Sequence, residues 1–216
     1  MKRELDVSLY LVTDRKLSGG RPLDEIVKKA VEGGVTIVQL REKDCSTREY
    51  LELACSIKRI LTPLNIPLII NDRVDIALAA GAEGVHLGQS DMPYRDARRI
   101  MGAEAIIGLS VETMEDAREA ESLDVDYLGV SPIFFTSTKT DTKSEWGIEG
   151  LRKLRVFSRH KLVAIGSIKQ DNASEVIAAG ADGVAVVSAI CSASDPKRAA
   201  EELKEAVLRG RSCEIK

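Results

Sequence analysis

Short apolar runs alternate with longer amphipathic stretches along almost the whole chain. The apolar runs are rich in Val, Ile and Leu, which is typical of buried strands, whereas the longer stretches carry apolar residues at helical spacing. Strands are predicted over Val7–Val12, Thr36–Leu40, Pro67–Ile70, Gly84–Leu87, Ala105–Leu109, Tyr127–Val130, Leu162–Ile165 and Gly183–Val187. Helices are predicted over Leu23–Glu32, Thr47–Leu61, Val74–Ala80, Tyr94–Met101, Glu112–Glu121, Ile148–Phe157, Asn172–Ala179 and Lys197–Leu208.

Eight strands that are each followed by a helix predict one α/β domain, residues 1–216, folded as a closed (β/α)8 TIM barrel. In the alternative, an open doubly wound sheet, a G-x-G-x-x-G motif would follow the first strand, but Asp14-Arg15-Lys16 stands there. Ala79–Val85 and Ala178–Val184 have nearly the same sequence. This indicates either a half-barrel repeat or a common helix-to-strand loop, and both favour the barrel.

Composition limits the partners of the chain. The net charge is −3 and the isoelectric point is about 5.6, which argues against general binding to nucleic acid or to an anionic membrane. The apolar run within Met1–Thr13 is too short for a secretory signal or a membrane span, so a cytoplasmic protein is expected. The cysteines form no C-x-x-C pair and have no zinc-ligand spacing; they are Cys45, Cys55, Cys191 and Cys213.

Charged and polar side chains follow the second strand directly. Gln39, Arg41 and Lys43 alternate along the chain, so on a strand extension they project to one side. Taken alone, this segment is equally well interpreted as a solvated strand exit. In a barrel, however, the carboxyl ends of all strands share one rim, where ligands bind. Asn71 and Ser110 follow the third and fifth strands and are expected on the same rim.

Two aspartates are candidate metal ligands. Asp72 and Asp91 follow the third and fourth strands, and either one alone is better interpreted as a helix cap. Together on one rim, facing Arg41, Lys43 and Lys139, they favour a Mg²⁺ site, because Mg²⁺ takes one or two carboxylates together with water and phosphate oxygens.

A second anion site is predicted where the last two strands end. Gly166-Ser167 and Val187-Ser188 are small residues at the position where barrels often bind phosphate through backbone N–H groups, although tight packing of the turns would also explain them. The long segment Ser131–Gly147, which includes Thr136–Lys139, is predicted to be a binding loop or lid. Two phosphate sites on one rim indicate a group transfer between two phosphorylated ligands.

The histidines and the tryptophan are given structural roles. His86 lies within the fourth strand and is predicted to be an interior or near-rim residue rather than a base. His160 is predicted to lie at the surface before the seventh strand. Trp146 is predicted to anchor the end of the long loop.

The chain resembles the thiamine phosphate synthase family across nearly its whole length. The order and spacing of the matching segments make the resemblance specific, although no single segment is decisive. The segments are Tyr10–Asp14, Gln39–Lys43, Asn71–Asp75, Gly84–Gln89, Thr136–Lys139 with Asp141-Thr142, and the ends of the last two strands.

The resemblance implies a (β/α)8 barrel that joins hydroxymethylpyrimidine diphosphate to hydroxyethylthiazole phosphate with Mg²⁺, giving thiamine phosphate and pyrophosphate. It implies that small molecules are the partners; a homo-oligomer is left open. By similarity Asp72 and Asp91 would carry Mg²⁺. The pyrimidine diphosphate would be held by Gln39, Arg41, Lys43, Asn71, Ser110 and Lys139, of which Arg41, Lys43, Ser110 and Lys139 would act in catalysis. The thiazole phosphate would be held by Thr136, Thr138, Gly166, Ser167, Val187 and Ser188. Leu40, Glu42 and Ser137 are also predicted to bind substrate.

Two features bear on this resemblance. Many relatives carry Gly-Gly where this chain has Gly166-Ser167, so the Ser167 hydroxyl would either bond to the phosphate or crowd it. The related thiazole tautomerases carry a histidine where Glu112 follows Ser110-Val111, which disfavours that alternative. A non-catalytic phosphate-sensing barrel is disfavoured by the intact aspartate pair. Glu42, which points away from Arg41 and Lys43, is expected to brace the strand end.

Overall fold

Eight parallel strands close into a barrel. The computed structural model describes residues 5–135 and 145–213. Within them the strands follow chain order around the barrel, and the eighth pairs with the first, Leu9 beside Val184. The strands are β1 Leu9–Val12, β2 Ile37–Leu40, β3 Leu68–Asn71, β4 Gly84–Leu87, β5 Ile106–Val111, β6 Tyr127–Val130, β7 Leu162–Ile165 and β8 Gly183–Val186.

Helices connect the strands and cover the barrel. They are α1 Leu23–Glu32, α2 Thr47–Leu61, α3 Val74–Ala80, α4 Tyr94–Met101, α5 Met114–Glu121, α6 Gly147–Phe157, α7 Ala173–Ala178, α8 Ser188–Cys191 and α9 Pro196–Cys213. Short 3-10 turns cover Lys16–Ser18 and Thr62–Leu64. Within the described residues, no helix combines the length and apolar character needed to cross a membrane.

Local sequence explains where the helices begin and which face they bury. Ser46 and Glu49 form a reciprocal capping box at the start of α2, and Thr113 and Asp116 form another at the start of α5. The buried residues of α1 recur at helical spacing and pack against the barrel; they are Leu23, Ile26, Val27 and Ala30.

The strands separate two cores, because alternate side chains point into the barrel and out toward the helices. The inner core includes Tyr10, Ile37, Ile69, Tyr127 and Val163. The outer core lies between strands and helices and includes Leu11, Val38, Leu40 and Ile70. Polar residues that continue the inward-facing positions therefore reach the open end of the barrel.

The predicted barrel is confirmed, with changes at element ends. Asn71 and Ser110 lie inside β3 and β5 rather than after them. The short helix α8, which begins at Ser188, was not predicted. The last helix also runs farther than predicted, because buried Gly210 lets α9 approach α7 closely: a Cβ there would lie 2.6 Å from the Ser174 carbonyl oxygen.

One surface prediction is wrong. His160 is buried, with 9% of its surface exposed. It packs beside Glu121 at the end of α5, and its Nε2 lies 3.8 Å from a carboxylate oxygen of that residue. Trp146 does anchor the end of the long loop: its backbone N–H donates to Pro132 and its indole N–H to Val111.

Candidate active site

A cavity of about 860 Å³ opens at the carboxyl end of the barrel. Side chains and loops from every strand line it, as expected for the functional end of this fold. The lining includes many of the residues that the sequence places on the rim: Gln39, Arg41, Lys43, Asn71, Asp72, Asp91, Ser110, Gly166, Ser167, Val187 and Ser188.

Two cationic side chains that follow β2 line the cavity. The Arg41 guanidinium lies 3.4 Å from a carboxylate oxygen of Asp14, and its backbone N–H donates to the Thr13 hydroxyl. The Lys43 ammonium donates to the Asp72 carboxylate at 2.5 Å. The predicted projection of Gln39, Arg41 and Lys43 to one side is therefore confirmed.

Ion pairs between neighbouring loops brace this cluster from behind. Arg15 pairs with Glu42 at 3.1 Å, and Lys16 pairs with Asp44 at 2.6 Å. The first pair is partly shielded, since only 5% of the Glu42 side chain is exposed. These contacts join the loop after β1 to the loop after β2, which carries the cavity-facing cations.

Leu40 and Glu42 do not line the cavity. Leu40 is fully buried in the outer core, because it occupies an outward-facing strand position. Glu42 turns toward Arg15, as its expected bracing role requires. The structure thus contradicts side-chain contacts from either residue to a ligand in the cavity, and only their backbone atoms remain candidates for binding.

Asp72 and Asp91 face each other at the rim beside Lys43. Burial and the neighbouring Asp72 carboxyl raise the pKa of Asp91. Neither aspartate caps a helix as the alternative interpretation proposed: the caps of α3 and α4 are Arg73 and Pro93. The Asp91 carboxylate instead accepts the Gly88 N–H at 2.7 Å.

This pair of carboxylates fits a magnesium ion. Among the described residues, no group of three or more His, Cys, Asp or Glu side chains could hold a metal. Two carboxylates beside a cavity that can admit water and phosphate suit Mg²⁺, which is seldom held by protein ligands alone. The close approach of two negative groups also favours a bound cation, which would offset their repulsion.

The opposite side of the cavity is built from small residues after β7 and β8. Gly166 has a φ of 117°, and a Cβ there would lie 2.8 Å from Pro132 Cβ and 2.9 Å from the Ile133 nitrogen. Ser167 has a φ of 50°, and its hydroxyl donates to the Phe135 carbonyl at 2.5 Å. The hydroxyl therefore ties the strand end to the start of the long loop.

The four remaining site predictions cannot be placed. Thr136, Ser137, Thr138 and Lys139 lie outside the described residues. They stay predictions.

Several cavity residues were missed by the sequence interpretation. Tyr10 and Tyr127 line the cavity from within strands, where a tyrosine reads as an ordinary core residue. Lys169, two residues after Ser167, adds a cation to the rim. Gln89, by contrast, follows the fourth strand as the sequence predicts, and its amide donates to the Ser110 carbonyl at 2.7 Å.

Comparison with known proteins identifies the family of the chain. The sequence model of the thiamine monophosphate synthase family matches residues 9–190. The thiamine-phosphate synthase of Albidiferax ferrireducens is 58% identical over 199 residues, covering 92% of this chain and 91% of that protein. The corresponding protein of Leptospira biflexa is 54% identical over 200 residues, covering 91% and 95%.

The structure of the chain is also similar to solved structures. Thiamine phosphate pyrophosphorylase from Pyrococcus furiosus superposes with a TM-score of 0.88 at 41% identity, covering 95% of this chain and 98% of that chain. A 3-hexulose-6-phosphate synthase, at 19% identity and a TM-score of 0.70, shares the fold alone. The family model and these relatives cover nearly the whole barrel, and the chain belongs to the thiamine monophosphate synthase family of transferases.

Proposed function

We propose that the cavity joins hydroxymethylpyrimidine diphosphate to hydroxyethylthiazole phosphate, releasing pyrophosphate and forming thiamine phosphate for thiamine biosynthesis. The observation that carries this proposal is the division of one cavity into two sides. Arg41, Lys43 and the two aspartates follow β2, β3 and β4, whereas the Gly166-Ser167 turn follows β7, which stands opposite β3 in the closed barrel. A diphosphate and a monophosphate thus have separate binding sides in one space.

The cationic side would hold the diphosphate. Arg41 and Lys43 are fixed by Asp14 and Asp72, so they are already oriented toward the place where negative charge develops as the leaving group departs. Preorganised cations of this kind stabilise such a transition state without reorganising during the reaction. They would interact more strongly with the transition state, in which the diphosphate gains negative charge, than with the bound substrate, and this difference accelerates the chemical step.

Mg²⁺ is the cofactor that this side would take. Asp72 and Asp91 would hold it, and it would supply positive charge to the leaving diphosphate. Their two carboxylates would leave most coordination positions to water and phosphate oxygens. This agrees with the described residues, among which no group of three or more candidate metal ligands occurs.

The proposed chemistry needs no protein nucleophile. The bond between the pyrimidine methylene carbon and the diphosphate oxygen breaks, and its electron pair leaves with the pyrophosphate. The thiazole nitrogen then gives its lone pair to the methylene cation and forms the new carbon–nitrogen bond. The protein would align the two ligands and exclude water, which would otherwise react with the cation.

The Gly166-Ser167 turn and the start of α8 would hold the thiazole phosphate. Gly166 lets the backbone turn tightly beneath the cavity, since a side chain there would collide with Pro132 and Ile133. Because the Ser167 hydroxyl donates to Phe135, its proton is already used, and we assign the contact to the phosphate to backbone N–H groups.

A pyrophosphate-release assay tests this proposal. Purified protein should release pyrophosphate only when both substrates and Mg²⁺ are present. Asp72→Asn should raise the Mg²⁺ concentration needed for half-maximal rate at least about tenfold, because metal ligands contribute strongly to affinity. Asp96→Asn, an exposed residue paired with Arg99 on α4, is the matched control and should behave as wild type.

The alternatives give different results in the same assay. A tautomerase or a phosphate-sensing barrel would release no pyrophosphate under any of these conditions. The absence of pyrophosphate release would therefore refute the synthase proposal. Cytoplasmic location and homo-oligomerisation stay predictions, to be checked by fractionation and by sedimentation.

A further inference from the structure

Five polar side chains form a continuous line of hydrogen bonds across the floor of the cavity. The Gln39 amide donates to the Tyr10 hydroxyl at 2.9 Å, and the Tyr10 and Tyr127 hydroxyls are 2.7 Å apart. The Tyr127 hydroxyl lies 3.1 Å from His86 Nδ1, and His86 Nε2 lies 2.9 Å from the Ser110 hydroxyl. The line therefore runs from β2 through β1, β6 and β4 to β5.

One order of protons satisfies all four contacts of this line. In it Tyr10 accepts from Gln39 and donates to Tyr127, and Tyr127 donates to Nδ1 of His86. The His86 proton is then on Nε2 and points at Ser110. Burial raises the pKa of both tyrosines, so they remain proton donors at neutral pH. The Ser110 oxygen accepts from His86, and its proton is left to face the cavity.

The surrounding strands are shaped to hold these rings. A Cβ on Gly108 would overlap the Tyr127 ring, and a Cβ on Gly129 would lie 2.8 Å from Cε1 of His86. Glycine inside a strand often marks such a close approach. The His86 and Tyr127 rings stack with centroids 5.6 Å apart, and Tyr10 meets Tyr127 edge to face at the same distance. Packing and hydrogen bonding thus hold the three rings in fixed positions.

We propose that Tyr10, Tyr127 and His86 are positioning residues that fix the Ser110 hydroxyl as a hydrogen-bond donor to the pyrimidine substrate. This rests on the proposed function of the cavity. Because each hydrogen bond along the line is donated toward Ser110, His86 is held as a neutral imidazole with its proton on Nε2. The Ser110 hydroxyl then donates its proton to an acceptor nitrogen of the pyrimidine ring. Gln89 fixes the Ser110 backbone through the Ser110 carbonyl. The line thereby orients the pyrimidine beside the diphosphate side of the cavity.

Nitrogen NMR of the histidine rings tests the proton order without any substrate. The chain has 2 histidines, so a His160→Gln variant assigns both sets of ring signals. The expected result is a neutral His86 ring protonated at Nε2. In Tyr127→Phe the fraction of the His86 ring in this protonation form should fall. A wild-type His86 protonated at Nδ1, or at both nitrogens near neutral pH, would overturn the proposal.

Steady-state kinetics tests the positioning role. Tyr127→Phe should lower kcat about 10- to 100-fold while leaving KM for the thiazole phosphate unchanged, since small misplacements of a reacting group cost rates of this size. Tyr10→Phe should have a smaller effect, because Tyr127 can still donate to His86. Tyr94→Phe, which loses a bond to the Asp124 carbonyl on the outer surface, controls for the loss of a tyrosine hydroxyl and should keep wild-type kinetics.

The outcomes separate this inference from the proposed function. Wild-type kcat in a folded Tyr127→Phe protein would refute the positioning role while the synthase activity stands. If Tyr127→Phe fails to fold, Tyr10→Phe and the wild-type ring signals decide the question. If wild-type protein releases no pyrophosphate, the proposed function fails, and with it the substrate role of Ser110, whereas the ring signals still report the proton order.

Discussion

Two residues at the rim have positive φ angles, a backbone conformation that is uncommon for residues other than glycine. Asp72 has a φ of 62° and Ser167 a φ of 50°, and they lie on opposite sides of the cavity. Such conformations cost free energy and are kept where the surrounding structure enforces them, often at functional sites. Here each one directs a strand end into the cavity, so the strain coincides with the proposed metal and phosphate positions.

Gly166 gives a prediction at the scale of one residue. Gly166→Ala combines an unfavourable φ of 117° with a collision against Pro132 and Ile133, so it should displace the phosphate-binding turn. We expect a loss of stability of about 2–4 kcal/mol and a rise of at least about tenfold in KM for the thiazole phosphate. Urea unfolding and steady-state kinetics measure both effects.

Gly102→Ala is the matched control for that substitution. Gly102 has a φ of 87°, but a Cβ there meets nothing within 4 Å, so it carries the backbone strain without the collision. It should lose stability while keeping the wild-type KM. If both variants change KM equally, the turn at Gly166 has no special role in phosphate binding.

At the scale of elements, contacts between loops place the rim. Arg21, in the loop before α1, donates to the carbonyls of Cys191 and Ala193 at 2.7 Å each. Cys191 is the last residue of the short helix α8, and Ala193 lies two residues beyond it; the first residue of α8, Ser188, lines the cavity. A charged donor to exposed helix carbonyls is a strong form of cap, since it satisfies groups that have no partner within the helix. Arg21 therefore holds α8 in place.

Replacing Arg21 should affect one substrate more than the other. Arg21→Gln removes the charge-assisted bonds, and we expect a loss of about 2 kcal/mol in stability. KM for the thiazole phosphate should rise several-fold, while KM for the pyrimidine diphosphate should stay near wild type. Arg198→Gln, which breaks an exposed pair with Glu202, should change neither constant. Equal changes in both KM values would contradict a local role for α8.

Glu121 gives a stability prediction that depends on pH. Burial disfavours its charge, but bonds from the Arg159 N–H and the Ser158 hydroxyl prevail, together with His160 and the Arg159 side chain, and lower its pKa. A carboxyl whose pKa is lowered by folding stabilises the protein at pH values above its unfolded-state pKa of about 4.3. This stabilisation is lost as the pH falls through the folded-state pKa. Glu121 thereby ties the end of α5 to the segment before β7.

Glu121→Gln should destabilise the protein by about 2 kcal/mol at pH 7 and by less near pH 3. Urea unfolding at the two pH values measures the difference. Glu115→Gln, an exposed residue on the same helix paired with Arg118, should change stability by less than about 0.5 kcal/mol at either pH. A destabilisation by Glu121→Gln that does not shrink in acid would contradict the assignment.

At the scale of the whole molecule, the sequence predicts the barrel well because its periodicities are simple. Period-two alternation is enough to place Gln39, Arg41 and Lys43 on one side and Leu40 on the other. The Tyr10–Tyr127 contact could not be predicted, since each tyrosine looks like a core residue and the partners are 117 positions apart. His160 was misplaced because it packs beside Glu121, which lies at the end of α5 and is distant in the sequence.

The central claim is that one cavity holds a diphosphate and its metal at Arg41, Lys43, Asp72 and Asp91. The most direct measurement is a crystal of the protein soaked with pyrophosphate and Mn²⁺, a stand-in for Mg²⁺ that anomalous scattering can locate. The account predicts an anomalous peak between the two aspartates, with pyrophosphate oxygens on Mn²⁺, Arg41 and Lys43. A peak elsewhere, or pyrophosphate bound away from these cations, would contradict it.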